Sequence, residues 1–458
     1  GRPGETGCEA VLTWQQPARF RRVCPLLTRN QEGAWVCSVG AEAVRPFWGR
    51  AFGYAGGGLL ALALLAGGGI YGTMRAIGYQ VTLRQVFWPR AWSELRGVRA
   101  QLFVEQARAH YQAGHIREAM TALLTAHEVA PENYAIAMTL AQVVQAANPA
   151  AADGIYLEML KQHPERRTET ARVWMPNLLA RGRLADVAAL ASRQLAADPA
   201  QAAVWTHALI FSARHLGQPE LLEAAAAGQG VPAPAAAVLR LEARVRRAPP
   251  ADVAHLLVAE PLPNDFPYAI EQRTELLIEF GQARAALAVL GQARLLLGGR
   301  DLARLALAAY AASGDTATVV READSLLAPA RKPGTGEITL ICQHLIKYPN
   351  RALLAHVAEL LDGRFVPPAE QKREVWFNVL CAAGAGGDRP LFNRLRERAT
   401  AQGALAAPAG DRLQEFFFGA PGGRRVEFIL PIAEQMAVSV TYALLDRYWL
   451  PEPAKTGG

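Results

Sequence analysis

Between Arg50 and Arg75 the chain runs AFGYAGGGLLALALLAGGGIYGTM, 24 residues without a charge, and no other feature limits its fold so tightly. At about 1.5 Å per residue such a helix exceeds the ~30 Å hydrocarbon core of a bilayer. Core helices of soluble domains rarely run so far uncharged. The stretch also begins too deep in the chain, and is too long, for a signal-peptide apolar region of ~7–15 residues. The pattern predicts one transmembrane helix at 51–74. Phe47, Trp48, Phe52 and Tyr54 gather at one end and Tyr71, Tyr79, Phe87 and Trp88 at the other, where amphipathic rings meet lipid headgroups. Gly53 with Gly57, and Gly68 with Gly72, put small residues four apart, which permits close helix approach in lipid and makes a homodimer one expected partnership.

Charge follows the same division. Residues 1–100 carry twelve Arg and five Glu, the whole of the net +7, while 101–458 hold 36 basic and 36 acidic side chains. A basic nucleic-acid surface on the larger part is therefore not expected, and nucleic acid is excluded as a partner. With 51% apolar and 19% charged residues the chain is not wholly disordered, and five cysteines over 458 residues exclude a disulfide scaffold. Basic residues flank the span almost evenly, Arg45 and Arg50 before it and Arg75, Arg84 and Arg90 after it, so the charge rule does not orient it.

Cys24 and Cys37, in FRRVCPLLTRNQEGAWVCSVG, stand where the second and first thiolates of two Cys-x-x-Cys knuckles would fall, but Arg21 and Gly40 fill the paired positions. Residues 1–50 resemble a zinc ribbon with a short hairpin around Asn30 and Gly33. Cys8 offers a third thiolate and nothing nearby a fourth, so the expectation is a metal-free remnant with no cofactor. The resemblance implies a reducing, cytosolic amino terminus and a large domain on the outer side of the membrane.

From residue 101 the chain repeats itself. ARAHYQAGHIREAMTALLTAHEVAPEN, residues 107–133, reads as two amphipathic helices joined at Gly114, with Ala107, Ala119, Leu123 and Ala126 at helical spacing and Pro131 closing the unit. Gly182 lies 68 residues after Gly114, and Pro199 lies 68 after Pro131. Between them, Ala141 and Leu157 keep the register, Asn148 replaces the turn glycine and Pro164 falls one residue early. Gly217, Gly281 and Gly314 each sit between further apolar-periodic segments.

The step of twice 34 and these markers resemble the tetratricopeptide repeat. The resemblance implies an all-α fold, a right-handed solenoid of helical hairpins over 101–330, with degenerate repeats over 331–415 and a capping helix and tail over 416–458. A basic juxtamembrane segment, 75–100, joins it to the span. QGVPAP (229–234), 248–264 and 328–336 read as loops between helix pairs. By family geometry the first helix of each pair lines a groove that binds a protein or peptide, with Arg108, Tyr111, Gln112, Glu275 and Glu279 facing it.

Catalytic patterns are missing from the sequence. His110 and His115 are five apart and cannot share a helix face, His127 falls on the next helix, no HxxxH, GxxxxGK[ST] or GxSxG pattern occurs, and no GxGxxG lies between a strand and a helix. Cys342 and Cys381 sit alone in apolar helices, as core cysteines do. The expectation is a non-enzymatic, single-pass scaffold for protein assembly at a membrane. The alternatives are a structural subunit of a larger membrane complex, or an enzyme with its site after Ile338.

Overall fold

The computed structural model describes residues 26–38, 46–113, 115–259, 266–328, 333–363, 365–419 and 436–448, with Arg22, Cys24 and Ala330. Among them the fold is all-α: 22 α-helices and one two-stranded sheet. The chain forms two compact units, 1–144 and 145–458.

In the amino-terminal unit β1 (Leu27–Arg29) and β2 (Trp35–Cys37) pair antiparallel with Leu27 opposite Cys37. The turn forms because Asn30 Oδ1 accepts the backbone N–H groups of Glu32 (3.1 Å) and Ala34 (2.8 Å), while Gly33 takes a left-handed φ of 80°. This is the hairpin expected around Asn30 and Gly33.

Helix α1 (Pro46–Ile77) comes next and overruns the predicted span at both ends. Its residues 52–77 are long and apolar enough to cross a membrane, and only 6% of the most apolar window is buried by the rest of the chain. Gly78, at φ 101°, turns the chain back into the short α2 (Leu83–Phe87). The Phe87 ring then lies against Gly67, where an added Cβ would come within 2.1 Å of it. One glycine of the span thus serves an approach by the chain itself, whereas Gly53, Gly57, Gly68 and Gly72 meet nothing within 4 Å. A 3₁₀ turn, Pro89–Glu94, leads into α3 (Leu95–Gln112) and α4 (Ile116–Val129), an antiparallel pair. Ala107, Ala119, Leu123 and Ala126 are buried, as their spacing predicts; Gly114 lies outside the described residues.

Helix α5 (Tyr134–Ala147) runs over the boundary between the units, and α6 (Pro149–Gln162) starts from an Asn148 cap whose side chain accepts the Ala151 N–H. Next come α7 (Arg167–Ala180) with α8 (Leu184–Ala197), α9 (Ala202–Leu216) with α10 (Glu220–Ala226), and α11 (Ala233–Arg247) with α12 (Pro250–Ala259). The pairs α13 (Pro267–Glu279) with α14 (Ala283–Gln292), and α15 (Gly299–Ala312) with α16 (Thr316–Leu327), continue the array. So do α17 (Thr335–Lys347) with α18 (Arg351–Gly363), and α19 (Lys372–Ala385) with α20 (Arg389–Ala401); α21 (Ala407–Phe418) and α22 (Val438–Tyr448) complete it.

The corners repeat one device. Gly182, Gly217, Gly281 and Gly314 have φ of 65°, 67°, 74° and 77°, a region that disfavours any residue with a Cβ. At Gly314 the glycine N–H bonds to Ala311 O and the Asp315 N–H to Tyr310 O; at Gly182 the acceptors are Leu179 and Leu178. This pair of bonds satisfies carbonyls that the ending helix leaves free. Asp315 then caps the next helix, its Oδ1 accepting the Thr318 N–H at 3.0 Å.

The proline-rich stretch 248–264, expected to be a loop, contains α12. Pro250 stands at the helix start, where its missing N–H costs nothing, and Val253 and Leu257, four apart, are buried. Pro249 and Pro250 thus open a helix where a loop was expected. Helices α9, α11, α13, α15, α17, α19 and α21 each pack on the next, so the first members of the pairs form a continuous row.

Candidate functional site

The inner row of first helices carries charge where an amphipathic pattern would place apolar residues. Glu242, on α11, is fully buried between Leu241 and Ala243. Four bonds saturate its carboxylate: from Arg214 Nε (2.6 Å) and Nη2 (3.0 Å) on α9, Arg246 Nε (2.7 Å) on its own helix, and Gln272 Nε2 (2.7 Å) on α13. Burial pulls its pKa upward most strongly, but the charges and hydrogen bonds of Arg214 and Arg246 together bring it below the ordinary carboxylate value. Arg246 also holds Glu279 on α13 through both carboxylate oxygens, at 2.5 and 2.6 Å.

From Gln272 the network runs inward. Tyr268 Oη donates to Gln272 Oε1 (3.1 Å), and His207 Nδ1 lies 3.1 Å from Tyr268 Oη. With the tyrosine proton committed to the glutamine, His207 must be the donor, which fixes its Nδ1–H tautomer. Burial pushes the His207 pKa down to about 4, so the ring is neutral.

Further along the row, Arg304 on α15 donates to Glu275 (2.6 Å) and Glu271 (2.7 Å) on α13. One guanidinium serves two carboxylates, with Asp301 nearby. Burial opposes ionisation of Glu275, yet the charge and hydrogen bond of Arg304, with the charge of Arg214, lower its pKa. Glu271 is pushed up to about 7, by burial first and then by repulsion from Asp301 and Glu275 that Arg304 does not overcome.

Helix α22 lies against α7 and α17, helices far apart in the sequence. Its Tyr442 ring meets His207 edge-on at 4.5 Å and Phe211 at 4.7 Å, both on α9, and its hydroxyl reaches Met175 Sδ on α7 at 4.0 Å. Asp446 bridges the row, 3.5 Å from His215 Nε2 on α9 and 3.3 Å from Lys347 Nζ on α17. The His215 bond is the main reason the Asp446 pKa falls to about 2. Arg447 donates to Ile346 O, and Cys381 Sγ on α19 to Met436 Sδ at 3.3 Å. An 11-residue helix is about 16 Å long. The row therefore curls enough to bring α7 and α9 within that reach of α17 and α19.

Of the predicted groove residues, Glu275 and Glu279 share one helix, α13, and this polar network, each already paired with arginine. Arg108, Tyr111 and Gln112 are exposed on α3, in the other compact unit. Cys24 is buried and free; Cys8 and the Cys37 side chain lie outside the described residues, among which no group of three or more His, Cys, Asp and Glu is placed to hold a metal. Cys342 and Cys381 are fully buried, and burial pushes both thiols far up, as in inert core cysteines.

Sequence reasoning missed Glu242, Arg214, His207, Arg304 and Asp446. A signal existed for the first: Glu242 falls on the face defined by Val238 and Val245, and a carboxylate there demands a buried partner.

The chain is thus an all-α array of helical hairpins that also carries one helix apolar enough to cross a bilayer. No family model matches it, and a comparison with curated proteins finds no match.

Proposed function

We propose that the chain is a membrane-anchored scaffold of tetratricopeptide type, which recruits a protein partner along its row of first helices. The observation that carries this reading is the row itself: a continuous surface, built by repeated glycine corners, against which an amphipathic helix already lies. Stacked hairpins present such surfaces because each pair buries its apolar face only against its neighbours, leaving the first helices to line one side. The apolar helix 52–77 supplies the address. In this reading the amino terminus lies in the cytosol and the array outside.

Photocrosslinkers placed in intact cells at Tyr111 and Glu279, on first helices, and at Arg284, on a second helix, test the recruitment. A discrete adduct from the first-helix positions alone, lost on deleting residues 52–77, is expected. Equal labelling from Arg284 would remove the reading. A tag after Gly458 tests the topology: protease should remove it without lysis, and protection until lysis would place the array inside.

A further inference from the structure

Resting on that reading, we propose that the row recognises one class of partner, an amphipathic helix bearing an aromatic residue and a carboxylate four positions later. Helix α22 is the chain's own copy of that ligand, held in cis.

The code comes from how α22 is seated. Met436, Val440, Leu444 and Leu445 are buried and supply an apolar ridge at helical spacing. Such a ridge fits many grooves and selects little. Tyr442 and Asp446 are selective, because the receptor offers each a built counterpart. Tyr442 fits edge-on against His207 and Phe211, and the His207 orientation is fixed through Tyr268 and Gln272 to the saturated Glu242. Asp446 meets His215 and Lys347, cationic or protonatable groups 132 residues apart on two helices. The Lys347 side of the clasp stands partly exposed, with 47% of the Asp446 side chain and 57% of the Lys347 side chain open to solvent, while His215 is largely covered. A competing helix therefore has access to the clasp before α22 has left.

Two features suit α22 to displacement. An 11-residue helix is too short to persist alone in water, so its helicity depends on being docked. It is also joined to α21 by 19 residues, 419–437, so a released α22 stays tethered and sets a threshold that a partner helix must exceed.

The probe is a fluorescent peptide of residues 436–448, titrated into the full chain in detergent. Wild-type protein, with its groove occupied in cis, should bind it at least tenfold more weakly than the Tyr442→Ala, Asp446→Lys double variant. A peptide carrying the same two changes should bind neither. Equal binding to both proteins, or undiminished binding of the changed peptide, overturns the proposal. Hydrogen exchange on the wild-type chain covers the case in which the double variant fails to fold. Amides of 440–448 should exchange at least tenfold faster than those of 375–385, and equal protection makes α22 a permanent part of the core. Peptide binding without cellular crosslinks at Tyr111 and Glu279 would sink the scaffold reading and leave this recognition code standing. Crosslinks that persist unchanged in the double variant would keep the scaffold reading and overturn the code.

Discussion

The row of first helices is joined by different means along its length. Between α9 and α15 ion pairs are added to the apolar contacts that Leu241, Val245, Leu276 and Ala309 make: Arg214 to Glu242, Arg246 to Glu279, and Arg304 to Glu271 and Glu275. Between α17 and α21 one apolar cluster does the work, with Trp376, Phe377, Phe392, Phe416 and Phe417 all buried. Burial of apolar area is indifferent to direction, so the second half gains stability from volume and close packing. Buried ion pairs gain little net stability over apolar packing, but breaking one leaves an uncompensated charge. The ionic half is thus the part whose geometry is least free to change, and it lies beside the His207 and Phe211 contacts to α22.

Truncation hits both halves hard. Glu242→Ala removes the fully buried carboxylate from two partly buried arginines, which keep only Glu279 between them, and should cost about 3 kcal/mol, and Phe377→Ala empties a packed site at a cost of ~3–5 kcal/mol. Conservative changes separate the two. Phe377→Leu, which keeps the apolar character, should cost under ~1.5 kcal/mol, whereas Glu242→Gln retains most of the full penalty because the charge is still missing. Denaturant unfolding of the four variants measures this. Equal responses to Gln and Leu would erase the distinction between the halves.

A smaller effect sharpens the ionic side. Glu271 has a folded pKa of about 7 against an ordinary 4.5, so the folded state binds its proton more tightly than the unfolded state does. Its contribution is fully present below pH 4.5 and is lost as pH rises through 7, a total of about 3 kcal/mol for this largely buried group. Glu271→Gln should therefore flatten the fall in melting temperature between pH 5 and 8. A parallel slope in wild type and variant would show that Arg304 neutralises Glu271 after all.

The two halves were not equally legible. Gly182, Gly217, Gly281 and Gly314 were readable as corners because the requirement is local: a left-handed φ at a helix end admits glycine and little else. The buried alanines and leucines of the first hairpin were readable for the same reason, as helical periodicity. The ionic ladder was not, since Arg214 and Glu242 are 28 residues apart and only the stacking of α9 on α11 makes them partners. Proline in 248–264 misled because its local meaning, a helix start or a break, depends on whether the residues after it have a core to pack against. The seat of α22 was the least legible feature, for it is set by the curl of the whole row.

Because the corner is local, it should not distinguish the halves at all, and this is the smallest effect expected. Gly314 lies in the ionic half and Gly387 in the apolar half, with φ of 77° and 74°, and an added Cβ would meet nothing within 4 Å at either. The whole cost of Gly→Ala is then backbone strain, about 1 kcal/mol at each position. Thermal unfolding of Gly314→Ala and Gly387→Ala should give equal shifts. A clearly larger loss at Gly314 would mean that the ladder, through Arg304 ten residues upstream on α15, depends on the angle at which its hairpin turns, and the ionic half would then be rigid by its corners as well as by its charges.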